Sequence, residues 1–101
     1  MGIVIGLVGC GRWGTNHLRV MMRLQNEGLV QRVVVCDVDG ERLANIRADA
    51  TYANLESMLS AEALAGVAIA TPPETHLSLA RMVLDKNLPL LLEKPLSNNH
   101  A

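Results

Sequence analysis

Residues 3–9 read Ile-Val-Ile-Gly-Leu-Val-Gly, an unbroken apolar run rich in β-branched side chains. A strand with one wet face alternates apolar and polar residues; an unbroken run is covered on both faces, as a parallel sheet requires. The same texture returns in Arg-Val-Val-Val-Cys-Asp-Val-Asp (32–39), in Gly-Val-Ala-Ile-Ala-Thr (66–71) and in Leu-Pro-Leu-Leu-Leu-Glu-Lys-Pro (88–95). Between these runs the period lengthens to that of a helix. Arg12 to Glu27 places Leu18, Met21 and Met22 on one face, and Gly28 is a C-terminal stop. Gly40 to Ala48 reads as a short helix with its charges outward, and Leu55 to Leu64 as a weaker one. A fourth helix starts at Pro72–Pro73, since proline is accepted in a first turn. It runs to about Lys86 with Leu77, Ala80 and Leu84 on one face. Strands are expected near residues 3–8, 32–37, 50–53, 66–71 and 89–93, all parallel, in spatial order 3-2-1-4-5. Residues 1–101 thus form one α/β domain with an open, doubly wound parallel sheet.

Composition narrows the chemistry. Half of the 101 residues are apolar, yet Trp13 and Tyr52 are the only aromatics, so the core is aliphatic. The net charge of −1 offers no basic patch for nucleic acid. The apolar run Leu88–Leu92 is far too short to span a bilayer. Cys10 and Cys36 are too few for a disulfide framework, and no signal peptide is evident. A soluble cytoplasmic protein with reduced thiols is expected, with no membrane, nucleic-acid or metal site.

The stretch Gly-Leu-Val-Gly-Cys-Gly-Arg-Trp-Gly-Thr-Asn-His (6–17) carries glycines at 9, 11 and 14, directly after the first strand and at the head of the first helix. In that context each glycine has a task. Gly9 permits the tight turn, Gly11 lets a pyrophosphate approach the backbone, and Gly14 lets the helix pack closely. The pyrophosphate would rest on the helix N-terminus, where N–H groups lack partners. An acid is then needed at the end of the second strand, about 20 residues on, to accept hydrogen bonds from an adenosine ribose. Asp37 stands there. Strand, glycines, helix and acid together predict a dinucleotide-binding Rossmann fold. Asp37 and the nearby Asp39 would repel a 2′-phosphate, so NAD is expected over NADP. Arg42 and Arg12 are candidate counterweights, Arg12 over the adenine or a phosphate; either also reads as a solvated surface charge.

The stretches Gly-Leu-Val-Gly-Cys-Gly-Arg-Trp-Gly-Thr-Asn-His, Val-Val-Val-Cys-Asp-Val-Asp, Val-Ala-Ile-Ala-Thr-Pro-Pro-Glu-Thr-His and Leu-Leu-Leu-Glu-Lys-Pro-Leu-Ser together resemble the nucleotide-binding half of the glucose–fructose oxidoreductase / inositol dehydrogenase / MocA family. The resemblance covers essentially the whole chain. It implies an NAD(P)-dependent oxidoreductase acting on a sugar, polyol or sugar nucleotide, and the Gly-Arg-Trp-Gly turn is most similar to members that use sugar nucleotides. It implies cofactor contacts from Gly9, Gly11, Arg12, Trp13, Gly14 and Asp37. Thr71 and Pro72 would line the nicotinamide ribose side of the cleft, with His76 in the first turn of the next helix. Glu93 would contact the nicotinamide ribose, and Lys94 would face nicotinamide and substrate as the catalytic residue. His76 also reads as a surface histidine, and Glu93–Lys94 as an exposed ion pair at a strand end. Family members continue past Glu-Lys-Pro with a further helix and strand. A second α/β domain then carries the substrate pocket and an Asp and His pair for proton transfer. The 101 residues are therefore expected to bind cofactor without turnover, as a domain fragment of an oxidoreductase, the final family strand being absent. A rival reading is an NAD-sensing regulatory module of the same fold. Strand five would be an apolar edge able to join a second copy of the chain.

Overall fold

The computed structural model describes residues 2–92, apart from the side chains of Arg12 and Trp13. Five strands, β1 (Val4–Val8), β2 (Arg32–Cys36), β3 (Ala50–Tyr52), β4 (Gly66–Ile69) and β5 (Leu90–Leu92), form one sheet in the order β3-β2-β1-β4-β5. Every pairing is parallel. Helix α1 (Arg12–Asn26) follows β1, α2 (Gly40–Ala44) follows β2, α3 (Leu55–Ala61) follows β3, and α4 (His76–Asp85) follows β4.

The unbroken apolar runs are explained by the two cores. In β2, Val33 and Val35 belong to the cluster under α1, with Leu7, Leu18 and Ala68. Val34 and Cys36 belong to the opposite cluster, with Leu55 and Met58 of α3 and Ala80 and Val83 of α4. Successive side chains of a strand point to opposite faces, so a strand buried on both has no place for a polar residue. All four from Val33 to Cys36 are within 1% of complete burial.

Three helix boundaries or faces depart from the sequence expectation. Helix α2 stops at Ala44 rather than Ala48. Asn45 turns back on it, its backbone N–H reaching Arg42 O and its side-chain amide donating to Glu41 O at 2.9 Å. The Asp49 carboxylate accepts from the Val33 N–H and from Gln25 Nε2, each at 2.7 Å, which draws the chain into β3. Helix α3 stops at Ala61 because Glu62 is extended and held by Arg32. In α4 the sheet-facing stripe is Ala80 and Val83, flanked by Leu79 and Met82, whereas Leu77 and Leu84 are 73% and 56% exposed. The segment Pro73–Thr75 is a 3₁₀ turn, and the His76 ring is fastened to the Thr71 carbonyl, which sets the rotation of α4.

Candidate functional site

The C-terminal ends of the strands lie level. Val8 is in register with Cys36 and with Ile69, Cys36 with Tyr52, and Ile69 with Leu92. Ligands of open parallel sheets bind along this rim, where the strand order reverses beside β1.

The tight turn at Gly9 and the close packing at Gly14 are built as the spacing predicts. Gly9 has φ +90°, and its N–H donates to Cys36 O at 2.8 Å. A β-carbon on it would come within 2.8 Å of Thr71 Cγ2 and 3.1 Å of the Ala70 carbonyl oxygen. A β-carbon on Gly14 would run into the carbonyl oxygen of Gly9, so α1 closes on the turn only without a side chain there. Gly11 has no such neighbour, only the Arg42 guanidinium, whose Nη1 would lie 3.3 Å from an added β-carbon. Gly11 caps α1 without a side-chain bond, and no acidic residue lies in the first turn. The positive end of α1 thus meets the rim without a protein carboxylate in its first turn to offset it.

Asp37 is 6% exposed at the end of β2. Its Oδ2 accepts from the Cys10 N–H at 2.8 Å and from the Cys10 thiol at 3.3 Å. Its Oδ1 accepts from the Asp39 N–H at 2.8 Å. Burial pushes this carboxyl upward, but the two backbone N–H groups, the thiol and the Arg42 charge outweigh it and hold the pKa below the ordinary carboxylate value. Asp37 is therefore ionised, and it clamps the glycine turn to β2. A carboxylate has about four acceptor positions, and three of them are filled by these donors. Burial, with Asp37's bond and charge adding, raises the Cys10 thiol to about 11, and burial with Asp37's charge raises Cys36 to about 12. Both thiols stay protonated and unreactive. The clamp role of Cys10 was not legible in the sequence, where Cys10 and Cys36 read only as reduced thiols too few for a disulfide framework.

The β4 end of the rim is a self-bonded loop. Thr71 Oγ1 and Thr75 Oγ1 are 2.6 Å apart, and Thr75 Oγ1 donates to Pro72 O at 2.8 Å. His76 Nε2 donates to Thr71 O at 2.7 Å, so the half-buried imidazole braces the loop. Pro72 is exposed. The structure thus brings Gly9, Gly11, Gly14, Asp37, Thr71, Pro72 and His76 to one edge of the sheet. Arg12 and Trp13 open α1, and their side chains are outside the description. Glu93 and Lys94, which follow β5 directly, also lie outside the described residues. No group of metal-ligating side chains is found among the described residues, nor is any helix there long and apolar enough to cross a membrane.

Residues 3–101 match the family model described as an oxidoreductase family with an NAD-binding Rossmann fold. The chain is 34% identical to the rhizopine catabolism protein MocA of Rhizobium meliloti, over 90% of this chain and 28% of that protein. It is 31% identical to an inositol 2-dehydrogenase of Renibacterium salmoninarum, over 96% of this chain and 30% of that one. Among solved structures, the WlbA dehydrogenase of Bordetella pertussis, in complex with NADH and UDP-GlcNAcA, superposes with a TM-score of 0.78 at 29% identity, over 94% of this chain and 29% of that one. The chain spans less than a third of the length of each of these proteins.

Proposed function

We propose that this chain, which belongs to the glucose–fructose oxidoreductase / inositol dehydrogenase / MocA family, binds NAD and presents it for hydride exchange with a sugar, polyol or sugar nucleotide. The observation that carries the reading is the clamp: a buried, ionised Asp37 bonded to the backbone of the glycine turn beside the open end of α1. A nest of N–H groups suits a pyrophosphate, and a fixed carboxylate suits ribose hydroxyls. A bound nicotinamide supplies the hydride-accepting ring.

The roles of the protein groups follow. The turn from Gly9 to Gly14 holds the pyrophosphate. Asp37 takes the adenosine ribose, and its charge with that of Asp39 favours NAD. Thr71, Pro72 and His76 shape the nicotinamide side, with Glu93 on that ribose. Lys94 hydrogen-bonds the reacting hydroxyl. The substrate class rests on relatives named for inositol oxidation and rhizopine catabolism and on the WlbA complex with a sugar nucleotide. Nothing assigned within these residues is a suitable base for the hydroxyl proton, a role that typically contributes a factor of about 10²–10⁴. The chain is accordingly read as binding cofactor without turning over substrate.

Calorimetry of the chain with NAD and NADP tests the binding reading, with NADH absorbance recorded over a panel of polyols, sugars and sugar nucleotides. Binding of NAD with no absorbance change is expected. Failure to bind any dinucleotide would sink the proposal, and Lys94-dependent NADH formation would overturn its inactive half.

A further inference from the structure

The Arg42 side chain is 53% exposed, yet it lies across the mouth of the site. Its Nη1 is 3.6 Å from Asp37 Oδ2, and its Nε is 3.6 Å from Asp39 Oδ2. Its guanidinium also lies over Gly11, the glycine whose missing side chain opens the turn to a ligand. Neither separation is a hydrogen bond. The cation is held by two carboxylates at ion-pair range and forms a close bond with neither. A guanidinium so placed is available to a better acceptor, and a phosphate offers two oxygens to its fork. The two aspartates are placed differently. Asp37 is locked by backbone donors, whereas Asp39 is half-exposed and caps α2 by accepting from the Glu41 N–H at 3.0 Å.

We infer that Arg42 sets how strongly the site discriminates against a 2′-phosphate on the adenosine ribose. Two carboxylates and one guanidinium leave a local charge of about −1, which disfavours the phosphate without forbidding it. Without Arg42 the phosphate would face both aspartates alone. Arg42 thus blunts a preference for NAD that the acids would otherwise make steep. The inference rests on the dinucleotide-binding reading.

Calorimetric titration of the full chain with ADP-ribose and with 2′-phospho-ADP-ribose separates the two ideas. Arg42→Ala is expected to raise Kd for the phosphorylated probe by about tenfold or more, a change of about 1.4 kcal/mol. Kd for ADP-ribose should change less than about threefold. Arg42→Lys, a point charge without the fork, should fall between. Asp39→Asn preserves the helix cap, and should move the phosphorylated probe the opposite way, towards tighter binding. Equal changes for both probes, or an unchanged ratio in both Arg42 variants, would overturn the inference. A wild-type chain that takes ADP-ribose but shows no binding of the phosphorylated probe would overturn it too. If ADP-ribose itself does not bind, the dinucleotide reading falls and this inference falls with it.

Discussion

On the β2–β3 wing of the sheet, three carboxylates fasten one element to the next. Asp37 joins the end of β2 to the glycine turn, Asp49 joins α1 to the start of β2, and Glu62 joins Arg32 of β2 to Tyr52 of β3. Among the described residues of the β4–β5 wing, the side-chain hydrogen bonds lie within the loop from Thr71 to His76 and at Ser78. Beyond that loop the edge strand β5 is leucine throughout. Leu91 and Leu92 are 56% and 41% exposed, and Ile5, Met21, Val67, Pro89 and Leu90 line a groove on the α1 side. One wing holds its geometry by directional bonds, as a site for a polar ligand demands. The other ends in an edge strand whose leucines are open to solvent.

The largest effect should come from breaking the glycine contact at the junction of the wings. In Gly14→Ala the new methyl meets backbone, the Gly9 carbonyl, which cannot move without opening the turn. A loss of about 3 kcal/mol or more in urea unfolding is expected, with dinucleotide binding abolished. Gly11→Ala is the control, because its methyl meets only the far end of the Arg42 side chain. A Gly14→Ala chain as stable as the Gly11→Ala chain would contradict the close approach.

Next in size is Asp37→Ala. It removes the clamp and the ribose acceptor together, and should weaken NAD binding by roughly 1.5–3 kcal/mol, the scale of a hydrogen bond to a charged group. NADP binding should suffer much less. The clamp adds a pH signature. The folded pKa of Asp37 lies below its unfolded value, so its stabilisation is present above about pH 4 and is lost as pH falls through the folded pKa. The stability gap between wild type and Asp37→Ala should close in acid. A gap that persists there would mean that the charge of Asp37 does not hold the turn.

Much of this was legible because local rules and tertiary demands agree. The run from Val33 to Cys36 has no polar position to turn towards water, so a strand buried on both faces is its only reading. Gly9 makes a turn at positive φ, Gly14 allows the close approach of α1, and Asp37 stands at the end of β2, as their spacing in the sequence suggests. The misreadings occur where a distant contact decides. Nothing local says that Asp49 reaches Val33 and Gln25, which ends α2 early. The stripe Leu77–Ala80–Leu84 has good helical spacing, yet the His76 bond to Thr71 rotates α4 so that Ala80 and Val83 face the sheet. Cys10 gains its part in the site only through Asp37, 27 residues away in sequence.

The β4–β5 wing is sharpened by a change at its edge. Among the described residues β5 is the outer strand of the sheet, with leucines open to solvent, a template for pairing with a second chain. Self-association through β5 is expected, and replacing Leu91 and Leu92 with lysine should weaken it by about tenfold or more, or about 1.4 kcal/mol. Sedimentation of both chains over a range of concentrations checks this. A wild-type chain that stays monomeric throughout removes the edge as an interface.

The smallest expected effect lies on the bonded wing, at Glu62. Its side chain is 8% exposed, and it receives a two-point bond from Arg32, Nε to Oε1 at 2.9 Å and Nη2 to Oε2 at 2.8 Å. The Tyr52 hydroxyl donates to the same Oε2. The Arg32 bond holds the Glu62 carboxyl below its usual range, against burial and with help from the Tyr52 hydroxyl. Because Arg32 is 41% exposed, solvent screens the pair, and Glu62→Gln should cost only about 1 kcal/mol. The titration is more telling than the stability. The bond to Glu62 raises the Tyr52 pKa, and Tyr52 is the one tyrosine in the chain, so phenolate absorbance reports it alone. In the wild type the phenolate should appear at higher pH than in a free tyrosine, near 10, and Glu62→Gln should bring it back towards that value. The sign follows from linkage. A raised folded pKa means a contribution fully present below the unfolded pKa and lost as pH rises through the folded one. The wild-type advantage over Glu62→Gln should therefore fade at both ends, in acid as Glu62 protonates and in alkali as Tyr52 ionises. Identical phenolate titrations in the two chains would show that Tyr52 does not bond Glu62, and the third fastening of this wing would be lost.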